Sequence, residues 1–269
     1  MKKPTIAILY ICTGEYVLFW ENFYASAEKH LLLDYEKHYF VFTDVAEIFM
    51  GHLPNIHLQY QQALAWPYPT LYRFKFFKSI QEQLKPFDFT YFFNANCSIC
   101  QDINAVNFLP MEDEQLVVTQ HPGYWDAAPN NFNYENNPLS MAYIQPGQGE
   151  IYAAGGLNGG KTSDYLTFIE TCFQYTQTDI DKGIIALWHD ESYLNKYILG
   201  KKIKVLHPGF LYPDGKELPF EKMVHLENKK KLIKGYGKYS FIHKIMKKSA
   251  LGKKIFSLWK TLNFKSSHE

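Results

Sequence analysis

"DFTYFFNANCSIC", residues 88–100, decides how the chain is read. It opens as an unbroken aromatic and β-branched run bounded by turn residues, which predicts a strand over Asp88 to Asn94 covered on both faces. Asn94 and Asn96 then stand two apart, so in an extended chain both point to the same side. Aspartates at both places would build a metal and diphosphate site at a strand end. Here the pair is neutral.

Outward from that strand, the chain alternates. "TIAILYI" (5–11) predicts a first buried strand, ending at the Thr13-Gly14 turn. Phe19, Phe23, Ala27 and Leu31 recur every four residues and predict a helix with Glu28 and Lys29 facing water. "HYFVFTD" (38–44) and "NIHLQYQ" (55–61) read as two more strands, and Leu71, Phe74, Phe77, Ile80 and Leu84 as one helix ended by Pro86. Strand–helix alternation implies a mainly parallel sheet covered on both faces. Ligands of such sheets lie beyond the carboxyl ends of strands, where Thr13, Asp44 and Asn94 fall.

The middle, residues 119–160, is rich in Gly, Pro and Asn and reads as long functional loops, with "AAGGLNGG" (153–160) as a turn or a place of close ligand approach to the backbone. That stretch is neither a Walker A loop nor a dinucleotide fingerprint. A helix is expected from about Ser163 to Gln177 with Leu166, Ile169, Cys172 and Phe173 inward, then a helix entered at "WHDES" (188–192), then a last strand in "KIKVLHP" (202–208). Asp190 can cap that second helix, but Trp188, His189 and Glu191 are more than a helix start needs. Trp offers a face to a sugar ring; His and acids hold hydroxyls. Arg73, on an aromatic helix near Asn94, reads either as a solvated arginine or as a diphosphate or sugar contact.

Composition narrows the classes. The 269 residues carry 46% hydrophobic and 17% aromatic content and a net charge of +1, which argues against a general nucleic-acid binder. The balance hides an asymmetry: residues 229–269 hold twelve lysines and one acid, so the remainder is acidic. Four cysteines (12, 97, 100, 172) are too few for a disulfide framework, and the lone Cys97-x-x-Cys100 reads as free thiols rather than a zinc or redox site. No stretch is long enough to span a bilayer, and the expected location is cytoplasmic. The simplest division is one domain over 1–227, with a first half to about 110 and a second over 111–227, and a lysine-rich tail over 228–269.

"ENFYASAEKHLLLDYEKHYFVFTD", "HPGYWDAAPNNFNYENNP", "YAAGGLNGG", "WHDESYLNKYIL" and "KVLHP" resemble, in order, the blocks of the family 6 glycosyltransferases: the histo-blood-group A and B transferases, the alpha-1,3-galactosyltransferases and their bacterial relatives. The resemblance implies a GT-A fold, with a Rossmann-like, mainly parallel nucleotide half joined to an acceptor half. It implies transfer of N-acetylgalactosamine or galactose from a UDP-sugar with retention, in alpha-1,3 linkage, to a fucosylated galactoside of H-antigen type. By motif, Ile11, Cys12, Thr13 and Tyr16 match base and ribose contacts. Arg73 matches the donor-sugar arginine. His121, Asn133 and Trp188 match acceptor contacts. Asp190 matches the carboxylate holding donor hydroxyls, and Glu191 the one beside the reacting centre, which also borders the acceptor. Ala154, Gly155 and Gly156 match the segment that separates donor types; small side chains there favour UDP-N-acetylgalactosamine.

The resemblance further implies aspartates holding Mn²⁺ at positions 94 and 96 in vertebrate members. Two amides are a poor cage for a hard dication. The expectation is a metal-independent enzyme with no cofactor, in which tail lysines (Lys230, Lys231 and Lys234, flanked by Lys229 and Lys238) neutralise the leaving diphosphate while Asn94 and Asn96 bond sugar hydroxyls. Residues 241–264 can form a basic amphipathic helix, which would place the protein at the inner face of a membrane. The alternatives are a non-catalytic carbohydrate-binding protein and a metal-dependent galactosyltransferase; retention of both Asp190 and Glu191 speaks against the first.

Overall fold

A computed structural model describes residues 3–234. The chain divides into two compact units, Met1–Asn228 and Lys229–Glu269. Within the second, the described residues form one short helix, α8 in chain order, Lys229–Leu232, followed by Lys234. Lys238 and the amphipathic stretch 241–264 lie outside the described residues.

The first unit begins as expected. β1 (Thr5–Ile11) has Ile6 to Tyr10 fully buried, since both faces of the strand are covered. A 3-10 turn over Gly14–Phe19 leads into α1 (Trp20–His30), whose run lacks β-branched residues and buries Trp20, Phe23, Tyr24 and Ala27. Lys29 and His30 in the last turn suit the negative end of the helix dipole. β2 (Glu36–Thr43) and β3 (Ile56–Tyr60) follow. Tyr10 stacks on Phe23 at 4.5 Å, and Trp20 meets Tyr39 edge-on at 5.7 Å, so much of the aromatic content is core.

The single helix expected over 71–84 is instead three short ones: α2 (Tyr68–Leu71), α3 (Arg73–Ser79) and α4 (Gln81–Leu84). Ser79 Oγ donates back to the Phe76 carbonyl at 2.7 Å, which competes with the helical ladder just before the break at Ile80. The apolar residues of the pattern are all buried, as the spacing requires. β4 (Phe89–Phe93), β5 (Cys97–Ile99) and α5 (Ala105–Phe108) complete the first half, and β6 (Leu116–Gln120) opens the second.

The reading of residues 153–160 as a turn is corrected. They lie in β7 (Ala153–Lys161), a buried strand in the middle of the sheet. The main sheet runs β3-β2-β1-β4-β7-β6-β8, with β8 at Ile203–Leu206. All neighbouring pairs are parallel except those of β7, which is antiparallel to both β4 and β6. Glycine is needed here for approach rather than for unusual dihedrals: a Cβ on Gly159 would fall 2.2 Å from the Tyr91 ring. This is a GT-A-type α/β architecture. A second sheet orders β5-β10-β9, with β9 at Tyr212–Pro213 and β10 at Val224–Leu226.

α6 (Thr162–Asp181) runs longer than expected and buries Tyr165, Phe168, Ile169, Cys172 and Thr176; Leu166 and Phe173 are only half-buried, a rotation of the expected face. α7 (Asp190–Tyr197) packs against it. None of the four cysteines forms a disulfide; Cys97 is buried and Cys100 exposed. Among the described residues no helix is long and apolar enough to cross a membrane.

A Gly159→Ala variant is expected to lose about 1–3 kcal/mol of unfolding free energy through overpacking against Tyr91. Denaturant titration checks this; an unchanged midpoint would contradict the close packing of β7 on β4.

Candidate active site

The register of β7 creates the site. Val118 pairs with Asn158 and Thr119 with Ala154, so Gly155, Gly156 and Leu157 form a bulge on the β6 side. Bulges free backbone groups from the ladder and re-aim them. Gly155 donates its N–H to Glu191 Oε2 at 2.8 Å and offers its carbonyl to Arg73 Nη1 at 2.7 Å. Gly156 gives its carbonyl to the Asn94 N–H at 2.8 Å. One glycine thus ties together an acid on α7 and a cation on α3.

Arg73 opens α3 directly after the break at Tyr72 and is 6% exposed. Its Nη1 also donates to Asp190 Oδ2, its Nη2 reaches Asn94 Oδ1 at 3.2 Å, and its guanidinium carbon lies 4.1 Å from the Phe92 ring centre. The solvated reading of Arg73 therefore fails; this is a desolvated ion pair with a cation–π floor. Asp190 does not cap α7. His189 occupies the cap position, in the positive-φ region (φ 53), and Asp190 is the first helical residue. Thr70 Oγ1 and His189 Nδ1 are 3.1 Å apart, joining α2 to this strained turn.

Glu191 is half-buried, with Tyr152 donating to its Oε1 at 2.9 Å and Gly155 to its Oε2. Burial pushes the Glu191 carboxyl up to about 7; the Gly155 hydrogen bond opposes this, and the Asp190 charge adds to it. Burial likewise lifts Asp190 to about 6 against the pull of Arg73. Two adjacent carboxyls held this high are what acid–base or nucleophilic work at neutral pH requires. Asn195, 1% exposed, fixes α7 to β7: its Nδ2 donates to the Ala153 and Glu191 carbonyls and its Oδ1 accepts from the Ala153 N–H, all at 2.9 Å.

At the strand ends, Ile11, Thr13 and Tyr16 are half-buried beside the first turn, and Gly14 donates to Asp44 Oδ1 at 2.7 Å. Cys12 is fully buried; its N–H goes to the Phe42 carbonyl, its own carbonyl accepts from Thr43, and burial pushes the thiol up to about 12. Ala154 is 5% exposed, next to the bulge. Asn96 is also buried; its Nδ2 donates to the Glu227 carbonyl at 2.8 Å, and its carbonyl accepts from the Glu227 N–H. Its Oδ1 is buried without a hydrogen-bond partner.

On the other side, His121 and Asn133 flank Tyr152. His121 packs edge-on to that ring at 5.6 Å, and burial, with Lys216 nearby, lowers its imidazole to about 4. The Asn133 carbonyl lies 3.4 Å from the Tyr152 hydroxyl. Trp188 is 46% exposed, an apolar face open to solvent beside Asp190 and Glu191 in sequence. Buried carboxylates anchor the long middle loop: Asp179 accepts from Ser140 Oγ at 2.5 Å and the Met141 N–H at 2.7 Å, while Glu135 accepts from the Leu187 N–H at 2.6 Å. Tyr152 and Asn195 sit inside the quoted blocks but carry no signal of their own at sequence level. Lys230, Lys231 and Lys234 belong to the second unit.

The sequence model of Glycosyltransferase family 6 matches residues 1–234. The chain belongs to this family. It is 34% identical over 209 residues to the O-antigen biosynthesis glycosyltransferase WbnI of Escherichia coli, covering 78% of this chain and 88% of that one. It is 30% identical over 225 residues to histo-blood group ABO system transferase 1 of Rattus norvegicus, covering 79% of this chain and 62% of the relative. It is 29% identical over 230 residues to globoside alpha-1,3-N-acetylgalactosaminyltransferase 1 of Gallus gallus, covering 81% and 64%. The chain thus spans somewhat under two thirds of these two vertebrate relatives. A family 6 glycosyltransferase takes a nucleotide-sugar donor and a glycan acceptor.

Because the folded Glu191 carboxyl titrates near 7 rather than its ordinary 4.5, the folded state binds more protons in that window than the unfolded state, and stability falls as pH rises through it. Gln removes this titration. Glu191→Gln is therefore expected to gain stability relative to the parent between pH 4 and pH 8, on the order of 2 kcal/mol. Parallel melting curves across that range would contradict the assignment.

Proposed function

We propose that this family 6 glycosyltransferase transfers N-acetylgalactosamine, or galactose, from a UDP-sugar in alpha-1,3 linkage to a fucosylated galactoside, with retention and without a divalent ion. The observation that carries the reading is the convergence of Arg73 and Glu191 on the backbone of Gly155, with Asp190 held there by Arg73. Arg73 and Asp190 form a polar platform for donor hydroxyls. Glu191 keeps lone pairs beyond its two hydrogen bonds, and in this proposal it either attacks the anomeric carbon or stabilises oxocarbenium-like charge. Trp188 and His121 supply the flat and polar faces an acceptor sugar needs.

Metal independence is supported by the amides. Asn94 Oδ1 already accepts from Arg73, so a dication bound there would face the guanidinium directly. Asn96 offers a neutral Oδ1, buried without a hydrogen-bond partner, where a dication would call for a charged carboxylate, and its Nδ2 is held by Glu227. These residues do not fit a Mn²⁺ cage. The leaving diphosphate still needs positive charge, and the lysines at 229, 230, 231, 234 and 238 are the reading's candidates. For the donor, the preference for the acetamido sugar rests on the resemblance at Ala154, Gly155 and Gly156; Asn94 and Leu211 already pack within 3.0–3.4 Å of where a Cβ on Gly156 would stand. The name of the globoside relative points to the same sugar.

The test is UDP release with UDP-N-acetylgalactosamine and UDP-galactose, with and without fucosylated acceptor, in EDTA. Full turnover in EDTA, faster with the acetamido sugar, is expected. Glu191→Gln should lose at least about 10²-fold in transfer with UDP binding little changed. Activity abolished by EDTA, or near-normal turnover of that variant, would overturn the reading.

A further inference from the structure

The two oxygens of Glu191 are held by different partners. Oε2 takes the Gly155 N–H, a backbone group no substitution removes. Oε1 takes the hydroxyl of Tyr152, which sits one residue before β7 and is 2% exposed. The Tyr152 ring is wedged among Tyr124 at 4.6 Å, Tyr134 at 5.4 Å, His121 at 5.6 Å and Phe132 at 6.0 Å. So packed, the ring has no room to swing away, and its hydroxyl is aimed by the aromatic cluster rather than by solvent. The phenol carries one proton and has two acceptors in reach, Glu191 at 2.9 Å and the Asn133 carbonyl at 3.4 Å. The shorter, charge-assisted bond wins while Glu191 is ionised.

We infer that Tyr152 is the positioning residue of Glu191: its hydroxyl sets the direction of the carboxylate and favours its ionised form. The inference rests on the proposed role of Glu191 at the reacting centre. The groups facing the carboxylate are Asp190 beside it, Arg73 from α3 and Tyr152; those facing the phenol are His121, Tyr124 and Tyr134. Asp190 and burial both oppose ionisation of Glu191, while Tyr152, Gly155 and the more distant Arg73 favour it. Burial and the Glu191 charge both hold the phenol itself protonated, so it acts as a donor only. The wedge also joins Glu191 to the loop carrying His121 and Asn133, so the acceptor side and the reacting carboxylate share one anchor.

The test is Tyr152→Phe, which keeps the ring packing and deletes only the donor. The Glu191 carboxyl is titrated by carbon NMR in the parent and in the variant, with its signal assigned by Glu191→Gln, and transfer is measured against pH. Expected are a midpoint raised by about one pH unit, an acid limb of kcat that moves with it, and kcat lowered roughly tenfold at pH 6.5 with donor KM little changed. A lost contact of merely structural value would lower stability and leave the midpoint where it was. An unmoved midpoint overturns the inference and leaves the proposed function standing. Normal transfer by Glu191→Gln overturns both.

Discussion

The bulge in β7 is the constraint on which the site depends. A regular ladder would commit the N–H and carbonyl of Gly155 to neighbouring strands. The register change between Val118 and Thr119 leaves them free, and they are taken up by Glu191 and Arg73. The absence of a side chain matters as much as the bulge. A Cβ on Gly155 would stand 2.8 Å from Asp190 Oδ2, and one on Gly156 3.0 Å from Asn94 Nδ2. The bare strand lets side chains from α3, α7 and the end of β4 meet over one pair of glycines.

This arrangement costs stability. Two adjacent carboxyls are drawn out of water, and burial is the largest influence on each. Arg73, Tyr152 and Gly155 offset part of that. Asn195 adds rigidity by bonding α7 to the strand on both its amide atoms. Asp179 and Glu135 do similar work for the loop, accepting backbone and hydroxyl donors that would otherwise be buried without partners. Such spending of stability on a reactive site is common in enzymes.

Much of the frame was legible in the sequence. β1 to β4 showed as apolar runs ended by turn residues, and the family resemblance led to Arg73, Asp190 and Glu191. Local reasoning failed where tertiary contacts override propensity. "AAGGLNGG" has the composition of a turn, yet Tyr91 occupies the space its side chains would take, which makes it a strand. A capping role for Asp190 was plausible from its position, but Arg73, over a hundred residues away in sequence, claims it. α2 to α4 share one apolar face, so periodicity could not show their breaks. Tyr152 and Asn195 are ordinary residue types whose importance lies wholly in what they touch.

Gly155→Ala tests this account most directly, with kcat and UDP affinity measured side by side on folded protein. A displaced Asp190 carboxylate should lower kcat by about 10²-fold while UDP binding stays within a few-fold, because a shift of an ångström at the reacting centre is enough. Turnover equal to the parent's would contradict the claim that the bare strand is what brings the site together.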